Sequence, residues 1–321
     1  MTDQLIVDNS LLKDTVCTTK VLLRHRHGFT SRDDSAALRA GTAAHAALAA
    51  YFDPADDGAT SNVKAGWALD KLKQEYATWS RANVPPDNRL SYENVSRILG
   101  AWLDAHPVSS FGFTVRHVEV GFTLYLTPWL TICGRIDVVV EMPDGAIYVL
   151  DWKTTGNITP WWLAAFRLDS QFSTYVSGAR EHLGGAAVAG GIVGAIEFSK
   201  IPASNAKCRA HGTPYAECGV QHVVERAQMI TVDRTPAQLT QWRADATRNA
   251  RKYRDACASY PELADVARAP MEGTFYGACT NCGFKDFCEA GRPMDLIDSM
   301  LVYDPWSPFA HSQTGQTNSR T

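Results

Sequence analysis

The fold is decided by a stretch that reads Gly134-Arg135-Ile136-Asp137 and continues, beyond the turn Pro143-Asp144-Gly145, to Asp151-Trp152-Lys153. Apolar residues at alternate positions predict two strands around this turn, over residues 130–140 and 147–153. A three-residue loop with Gly145 in the left-handed conformation pairs residue 142 with residue 146. In that register Asp137 lies directly opposite Asp151 on one face of the hairpin, with Cβ atoms about 4.5–5.5 Å apart, and Lys153 shares the face.

Two carboxylates held face to face repel one another, and a sheet does not ordinarily place them so. A hard divalent cation between them removes the conflict, because Mg²⁺ and Mn²⁺ prefer carboxylate and water oxygens. A metal ion there acidifies a bound water and neutralises charge on a phosphate, and Lys153 is positioned to orient the nucleophile or to stabilise the transition state. The alternative interpretation is a solvated hairpin that carries ordinary surface charges.

Length and composition exclude several classes of protein. The chain has 321 residues, of which 45% are hydrophobic and 20% are charged, so it is not disordered, collagen-like or a coiled coil. The net charge of −3 gives the whole molecule no electrostatic preference for nucleic acid, and any such site must be local. Basic residues gather in two places, either as phosphate-binding groups or as solvated helix faces: Lys20, Arg24 and Arg26, and Arg243, Arg248, Arg251, Lys252 and Arg254.

No stretch predicts a membrane span or a secretory signal. The longest uncharged apolar run, over residues 183–196, is too short and too rich in glycine for a span of about 20 residues. The first residues have neither a basic nor an apolar region. We therefore expect no membrane association and a cytoplasmic location, in a bacterial or phage-infected host cell.

Periodicity predicts a mixed order of helices and strands. Helical spacing indicates helices from Ser35 to Tyr51, with Asp34 as a second candidate cap, and over residues 63–81, 92–105 and 161–183. A capping box at Thr235 opens another helix that ends near Cys257. Further strands are predicted over residues 118–126, 191–198 and 227–232, and the polar stretch at about 199–222 looks like an insertion.

The hairpin and two helices together resemble the PD-(D/E)XK nuclease superfamily, in its RecB-like branch. Residues 134–137 are similar to the family's GxxD strand, and Asp151-Trp152-Lys153 to its (D/E)-x-K strand. Gly41-Thr42-Ala43-Ala44-His45 is similar to the upstream helix with a metal-ligand histidine, and Gln171-Phe172-Ser173-Thr174-Tyr175 to the Gln-x-x-x-Tyr helix. Each motif is weak by itself, but the four occur in the family's order across roughly residues 15–290.

This resemblance implies an α/β fold with a restriction-endonuclease-like core, in which helices flank a mixed central sheet. It implies that His45, Asp137, Asp151 and the Trp152 carbonyl hold Mg²⁺ or Mn²⁺. The catalytic set that it implies is Asp137, Asp151, Lys153, Gln171 and Tyr175. Glu119 faces the same side of its strand and is a further candidate for the metal shell, while a satisfied helical histidine and helix packing are the alternatives for His45 and Tyr175.

The eight cysteines suggest metal binding rather than disulfides. Cys279, Cys282 and Cys288 have C-x2-C-x5-C spacing, and four thiolates suit either a [4Fe–4S] cluster or tetrahedral zinc. Cys17 begins a segment similar to that of RecB-like nucleases with an iron–sulfur cluster, among them AddB-type helicase–nuclease subunits and CRISPR-associated RecB-like exonucleases. The resemblance favours the [4Fe–4S] cluster, bound by these four cysteines in a cap that joins the two ends of the chain.

A second group of ligands, Cys208-x2-His211-x6-Cys218-x3-His222, lies within the insertion. Its spacing fits no familiar zinc finger, so zinc binding and a polar loop both stay open. Cys133 and Cys257 are predicted to be buried, unreactive thiols.

These observations predict five segments and a function. The segments are a cluster-binding segment (1–30), a helical region with His45 (31–110), a nuclease core (111–260), a cysteine segment (261–304) and a disordered tail (305–321). The expected function is a metal-dependent exonuclease, of a kind encoded by phages, that acts on DNA ends in recombination, replication or end processing. DNA is the expected partner, and a homo-oligomer and a recombination protein are further candidates. The rivals are a non-catalytic DNA-binding or CRISPR-adaptation accessory subunit and a zinc-dependent interaction module.

Overall fold

The computed structural model describes residues 4–32, 35–56, 58–78, 88–200, 207–208, 211–214, 218–219 and 221–308. The chain divides into two compact units. Unit 1 comprises Met1–Asp34, Gly121–Gly134 and Thr235–Thr321, and unit 2 comprises Ser35–Val120 and Arg135–Arg234. Every residue expected to act on a phosphodiester falls in unit 2, whereas the four cysteines expected to bind a cluster fall in unit 1.

The fold is mixed α/β, as expected. Its strands are β1 (Leu5–Val7), β2 (Phe29–Ser31), β3 (Thr114–Thr127), β4 (Leu130–Glu141), β5 (Ile147–Thr155), β6 (Val188–Glu197), β7 (Gln228–Asp233) and β8 (Leu301–Tyr303). Six of them form one sheet in the order β1-β4-β5-β6-β7, with β3 paired to β4, while β2 and β8 form a separate antiparallel pair. The sheet is mixed because β1–β4 and β5–β6 are parallel, whereas β4–β5 and β6–β7 are antiparallel.

The hairpin of β4 and β5 has the register that the sequence predicts. Glu141 pairs with Ile147, and the ladder continues to Val138 and Leu150, directly beside Asp137 and Asp151. Gly145 has a φ of 84°, a conformation that only glycine adopts at little cost. The Met142 N–H donates to the Ala146 carbonyl at 2.9 Å and closes the loop.

Unit 2 contains six of the described α-helices. They are α3 (Ala36–Tyr51), α4 (Ser61–Thr78), α5 (Tyr92–Ala105), α6 (Pro160–Ala165), α7 (Ser170–His182) and α8 (Gln221–Val224). The Ser35 side chain caps α3 by accepting a hydrogen bond from the Leu38 N–H. This bond satisfies one of the backbone N–H groups of the first turn that have no partner within the helix. Contacts of α3 and α7 with β5 bring two helices onto the strand that carries Asp151. The core contains fully buried aromatic side chains that include Tyr51, Phe52 and Trp152.

The prediction of one continuous helix over residues 161–183 is wrong. The segment forms α6, a single 3₁₀ turn over Phe166–Leu168 and then α7. Asp169 separates them because it is extended and its carboxylate accepts a hydrogen bond from the Gln171 N–H at 2.8 Å. This cap starts a new helix and fixes Gln171 in its first turn. The predicted helix end at residue 81 lies outside the described residues, which place α4 over Ser61–Thr78.

Unit 1 gathers the two ends of the chain. Its helices are α1 (Asn9–Asp14), α2 (Thr18–Val21), α9 (Pro236–Ser259), α10 (Lys285–Glu289) and α11 (Ile297–Met300), and a π-helical turn spans Leu22–Arg26. The predicted capping box at Thr235 is confirmed at the start of α9. Of the predicted tail, residues 309–321 lie outside the described part of the chain. No helix in the described ranges is long and apolar enough to cross a membrane.

Candidate active site

The candidate active site is built on β4, β5 and two helices of unit 2. β4 supplies Asp137 and β5 supplies Asp151 and Lys153, two residues apart on one face. α3 supplies His45, and α7 supplies Gln171 and Tyr175 one turn apart.

One half of the site is a pair formed by His45 and Asp137. His45 Nδ1 lies 3.0 Å from Asp137 Oδ2, and the same oxygen accepts a hydrogen bond from the Trp152 N–H at 3.0 Å. The backbone of β5 therefore holds the Asp137 carboxylate in place, and this carboxylate in turn orients the imidazole.

The other half is a chain of four polar side chains. Lys153 Nζ lies 2.6 Å from Asp151 Oδ2 and donates to Gln171 Oε1 at 3.0 Å. The Gln171 amide N–H₂ donates to the Tyr175 hydroxyl at 2.8 Å and to Asp151 Oδ1 at 3.4 Å. Gln171 thus connects the lysine, the carboxylate and the phenol, and its hydrogen bonds fix the ammonium beside Asp151.

Burial and like charge give the two carboxylates opposite pKa shifts. Burial raises the pKa of Asp151 to about 6, with Lys153 opposing that rise and Asp137 adding to it. Burial also disfavours the Asp137 carboxylate, but the attraction and hydrogen bond of His45 outweigh it and lower the pKa of Asp137. Burial likewise disfavours charge on His45, yet Asp137 raises the pKa of its imidazole. The site therefore resists a second negative charge unless a cation joins it.

Tyr175 is a hydrogen-bonding group rather than a base. Burial, and then the negative charge of Asp151, raise the pKa of the phenol well above its ordinary value. The hydroxyl is therefore protonated over the whole neutral range and has a proton to donate to an oxygen of a bound molecule.

Two further residues, Glu119 and Gly41, lie near the site. Glu119 has a φ of 51° and forms an ion pair with Arg135 at 2.7 Å, so its carboxylate already has a cation as partner. At Gly41 of α3, an added Cβ would lie 3.4 Å from the Thr154 hydroxyl of β5, an ordinary van der Waals contact.

Arg135 is a residue near the site for which the sequence motifs predict no role. It lies on β4 two residues before Asp137 and shares its face, and besides binding Glu119 it acts electrostatically on Tyr175. The alternation of β4 was the signal that could have identified it.

Comparison with known proteins identifies a family. The family model of the PD-(D/E)XK nuclease superfamily matches residues 15–289. The chain belongs to the PD-(D/E)XK nuclease superfamily. No curated protein matches the sequence. A solved structure described as "Crystal structure of SSO0001" is similar at 14% identity and a TM-score of 0.33, with 88% of this chain and 95% of that chain covered.

As a PD-(D/E)XK nuclease the chain is a metal-dependent hydrolase, and the residues present suit a hard divalent cation. The donors are two carboxylates and an imidazole. Asp151 is 1% exposed and its Oδ2 accepts no well-aligned hydrogen bond from the described residues, although Lys153 lies beside it. In the described residues, ligand atoms of His45, Asp137 and Asp151 do not all lie within 4.8 Å of one another. A cation held by all three therefore requires Asp137 and Asp151 to turn from their present partners.

The four cysteines assigned to a cluster converge in unit 1. Cys17 precedes α2 and is nearly buried, and Cys288 lies in α10. Burial, and then the negative charges of Cys282 and Cys17, raise the pKa of Cys288 to about 11. Glu272 joins the two ends of the chain here, because its carboxylate accepts hydrogen bonds from the Thr18 N–H at 2.9 Å and from the Thr18 hydroxyl at 2.8 Å.

Proposed function

We propose that this PD-(D/E)XK nuclease is a Mg²⁺- or Mn²⁺-dependent exonuclease of the RecB-like branch, which hydrolyses DNA from its ends in recombination, replication or end processing. The observation that carries the proposal is the constellation of His45, Asp137, Asp151 and Lys153, in which His45 pairs with Asp137 and Gln171 connects Lys153 to Asp151.

His45, Asp137, Asp151 and the Trp152 carbonyl are the groups that would hold the divalent cation. When bound, it supplies Lewis-acid polarisation of a phosphate oxygen and a more acidic water. Because Asp151 is buried beside a second carboxylate, occupation by a cation relieves repulsion that the protein alone does not neutralise.

Lys153 and Gln171 have separate roles in the hydrolysis. The ammonium of Lys153 lies where negative charge grows on the phosphate, and its hydrogen bond to Gln171 fixes its direction. The Tyr175 hydroxyl and the Gln171 amide hold a phosphate oxygen or a base edge of the strand. These groups position the scissile bond, and positioning by itself lowers the barrier because the entropy is lost on binding.

Basic side chains of α9 are the part of unit 1 that we assign to the DNA backbone. The guanidinium groups of Arg254 and Arg251 lie 4.6 Å and 5.8 Å from the centroid of the Trp129 ring. Stacking on an indole holds a guanidinium while its N–H groups still face outward, and phosphate contacts of this kind bind without sequence preference.

We assign a [4Fe–4S] cluster to Cys17, Cys279, Cys282 and Cys288, with a structural role. The charges of Cys17, Cys279 and Cys282 all act on the Cys288 thiol, and four thiolates suit such a cluster. Such a cluster would tie residues near the start of the chain to residues more than 250 positions later, as a long-loop crosslink does.

The test compares degradation of end-labelled linear DNA with that of a covalently closed circle, in Mn²⁺ and in Mg²⁺. Asp151→Asn should lower the rate on linear DNA by at least about a thousandfold, because a ligand to the reacting metal is lost. The matched control is Asp70→Asn, which changes an exposed carboxylate on α4 of the same unit and should leave the rate unchanged.

Three results would overturn the proposal. Equal degradation of the circle would make the enzyme an endonuclease. Unchanged activity in Asp151→Asn would place the chemistry elsewhere. Absence of cleavage by the iron-loaded wild-type protein, with DNA binding retained, would favour the non-catalytic subunit.

A further inference from the structure

Between β6 and α8 the chain brings two thiols to one ring nitrogen of a histidine. His211 Nδ1 lies 2.9 Å from Cys218 Sγ and 3.7 Å from Cys208 Sγ, and the ligand atoms of the three residues all lie within 4.8 Å of one another. Tetrahedral zinc separates a sulfur from a nitrogen ligand by about 3.6 Å, given Zn–S of about 2.3 Å and Zn–N of about 2.0–2.1 Å. We propose that Cys208, His211 and Cys218 bind a structural Zn²⁺ ion, independent of the nuclease site and of the cluster in unit 1.

The other nitrogen of the same imidazole already has the partner that a zinc ligand needs. His211 Nε2 lies 2.6 Å from Glu225 Oε2. A ligating histidine usually donates its second N–H to a carboxylate, which fixes the tautomer and makes the coordinating nitrogen a better donor. With that proton on Nε2, Nδ1 is the nitrogen left to coordinate a metal, and it lies close to the two sulfurs.

The backbone around the ligands forms the short turns that such a site requires. The Cys208 N–H donates to the Thr213 carbonyl at 2.7 Å, and the Gly212 N–H donates to the Cys208 carbonyl at 2.8 Å. A glycine with positive φ follows both His211 and Cys218, at 70° for Gly212 and 54° for Gly219. Each turn lets the chain reverse directly after a ligand.

Few of the described side chains in residues 207–219 are buried. Of the described residues in 207–219, Cys208 is the one that is buried, at 1% exposure. A segment without its own apolar core needs a crosslink or a metal to fold. The next helix, α8, is anchored, since Val223 and Val224 lie in the core of unit 2. Zinc would therefore hold the insertion next to α8, because its ligand His211 contacts Glu225, the residue directly after that helix.

Two features distinguish this group from a thiol–imidazole nucleophile. A nucleophile needs one thiol, whereas here two approach the same nitrogen, which matches a metal site. In sequence, His222 follows Cys218 by four positions, so the stretch offers two cysteines and two histidines, the ligand types of a Cys₂His₂ zinc site.

The experiment measures zinc and iron in full-length protein purified without chelator from medium that contains both metals. The wild-type chain should hold one zinc ion, and Cys208→Ser, Cys218→Ser and His211→Gln should each lower zinc content at least tenfold while iron is unchanged. Cys257→Ser, a cysteine outside both groups, should keep zinc, and Cys279→Ser should keep zinc whatever happens to iron. Since the His211 side chain is 32% exposed, His211→Gln should fold even where Cys208→Ser does not.

A second readout does not depend on enzymatic activity. Removal of zinc with a chelator should speed hydrogen exchange in residues 207–225 and leave exchange in β4 and β5 unchanged. The proposal is overturned if wild-type protein holds no zinc and binds no Co²⁺ with a thiolate charge-transfer band. It is also overturned if the zinc content is the same in all three ligand variants, or if Cys218 of freshly purified protein reacts at once with iodoacetamide.

Discussion

Two Asp–Lys pairs, one in each unit, have the same nitrogen–oxygen distance and opposite pKa shifts of the carboxylate. In unit 1, Lys20 Nζ lies 2.6 Å from Asp14, and in unit 2, Lys153 Nζ lies 2.6 Å from Asp151. Burial disfavours the Asp14 carboxylate, yet hydrogen bonds from His25 and Lys20 outweigh it and lower the pKa of Asp14. Burial raises the pKa of Asp151 to about 6 in spite of its lysine.

The difference comes from the surroundings of each pair. Asp14 has a second partner, because His25 Nε2 lies 3.0 Å from its other oxygen, and its side chain is 16% exposed. Asp151 is 1% exposed and has the Asp137 carboxylate as a neighbour, whose charge adds to the effect of burial and outweighs Lys153 and His45. The carboxylate of Asp14 is thus compensated by its two partners, whereas that of Asp151 lies buried beside a second carboxylate, an arrangement that a divalent cation would relieve.

The largest expected effect is a difference in the rate of DNA hydrolysis between variants of the two lysines. Lys153→Ala should lower the rate of DNA hydrolysis by about a hundredfold to a thousandfold, because the ammonium stabilises charge in the transition state. Lys20→Ala should leave the rate within about twofold, with a loss of stability of about 1 kcal/mol. Single-turnover rates and urea unfolding of both variants measure these effects. Equal rate losses would remove the functional distinction between the pairs.

Asp151→Asn should stabilise the metal-free protein. The pKa of Asp151 in the folded protein exceeds its unfolded value of about 3.9, so the folded state binds more protons between these two values. Stability therefore falls as pH rises from about 4 to 6 and stays low above that. In EDTA at pH 8 the variant should be about 2 kcal/mol more stable than wild type, and the gain should vanish near pH 4.

Urea unfolding at both pH values, with Asp70→Asn as the control, measures that gain. A destabilised Asp151→Asn protein at pH 8 would show that Lys153 compensates Asp151 fully and would contradict the comparison.

The smallest expected effect is a loss of stability in Asp14→Asn, in contrast to the gain in Asp151→Asn. Since the pKa of Asp14 is lowered on folding, its contribution is present above the unfolded value of about 3.9 and is lost as pH falls further. Asp14→Asn should therefore lower the free energy of unfolding by about 1 kcal/mol at pH 7. It should also weaken the fall in stability that the wild type shows at acid pH. Asp245→Asn, which breaks an exposed i,i+3 pair on α9, is the control and should cost less. A gain in stability for Asp14→Asn would contradict this assignment.

Local signals were sufficient where the structure depends on neighbours in sequence. The turn at Gly145 determined the register of β4 and β5, and the helix over Tyr92–Ala105 has the bounds that its apolar spacing predicts. The helix predicted over 161–183 failed because apolar spacing continues across Asp169, while the cap formed by that carboxylate ends the run. The connection between Gln171 and Lys153 could not be predicted, since it depends on how α7 lies against β5.

By itself the sequence determined five of the described strands, β3 to β7, the faces on which the acidic and basic side chains lie, and the order of the nuclease motifs. Alternation and turn chemistry are properties of short segments. Only the tertiary structure decided which charged side chains lie close to one another. It gave Asp14 two cationic partners and left Asp151 with one beside a second carboxylate. It also directed one histidine at two thiols. Burial and through-space distance set these interactions, and neither quantity is a function of sequence spacing.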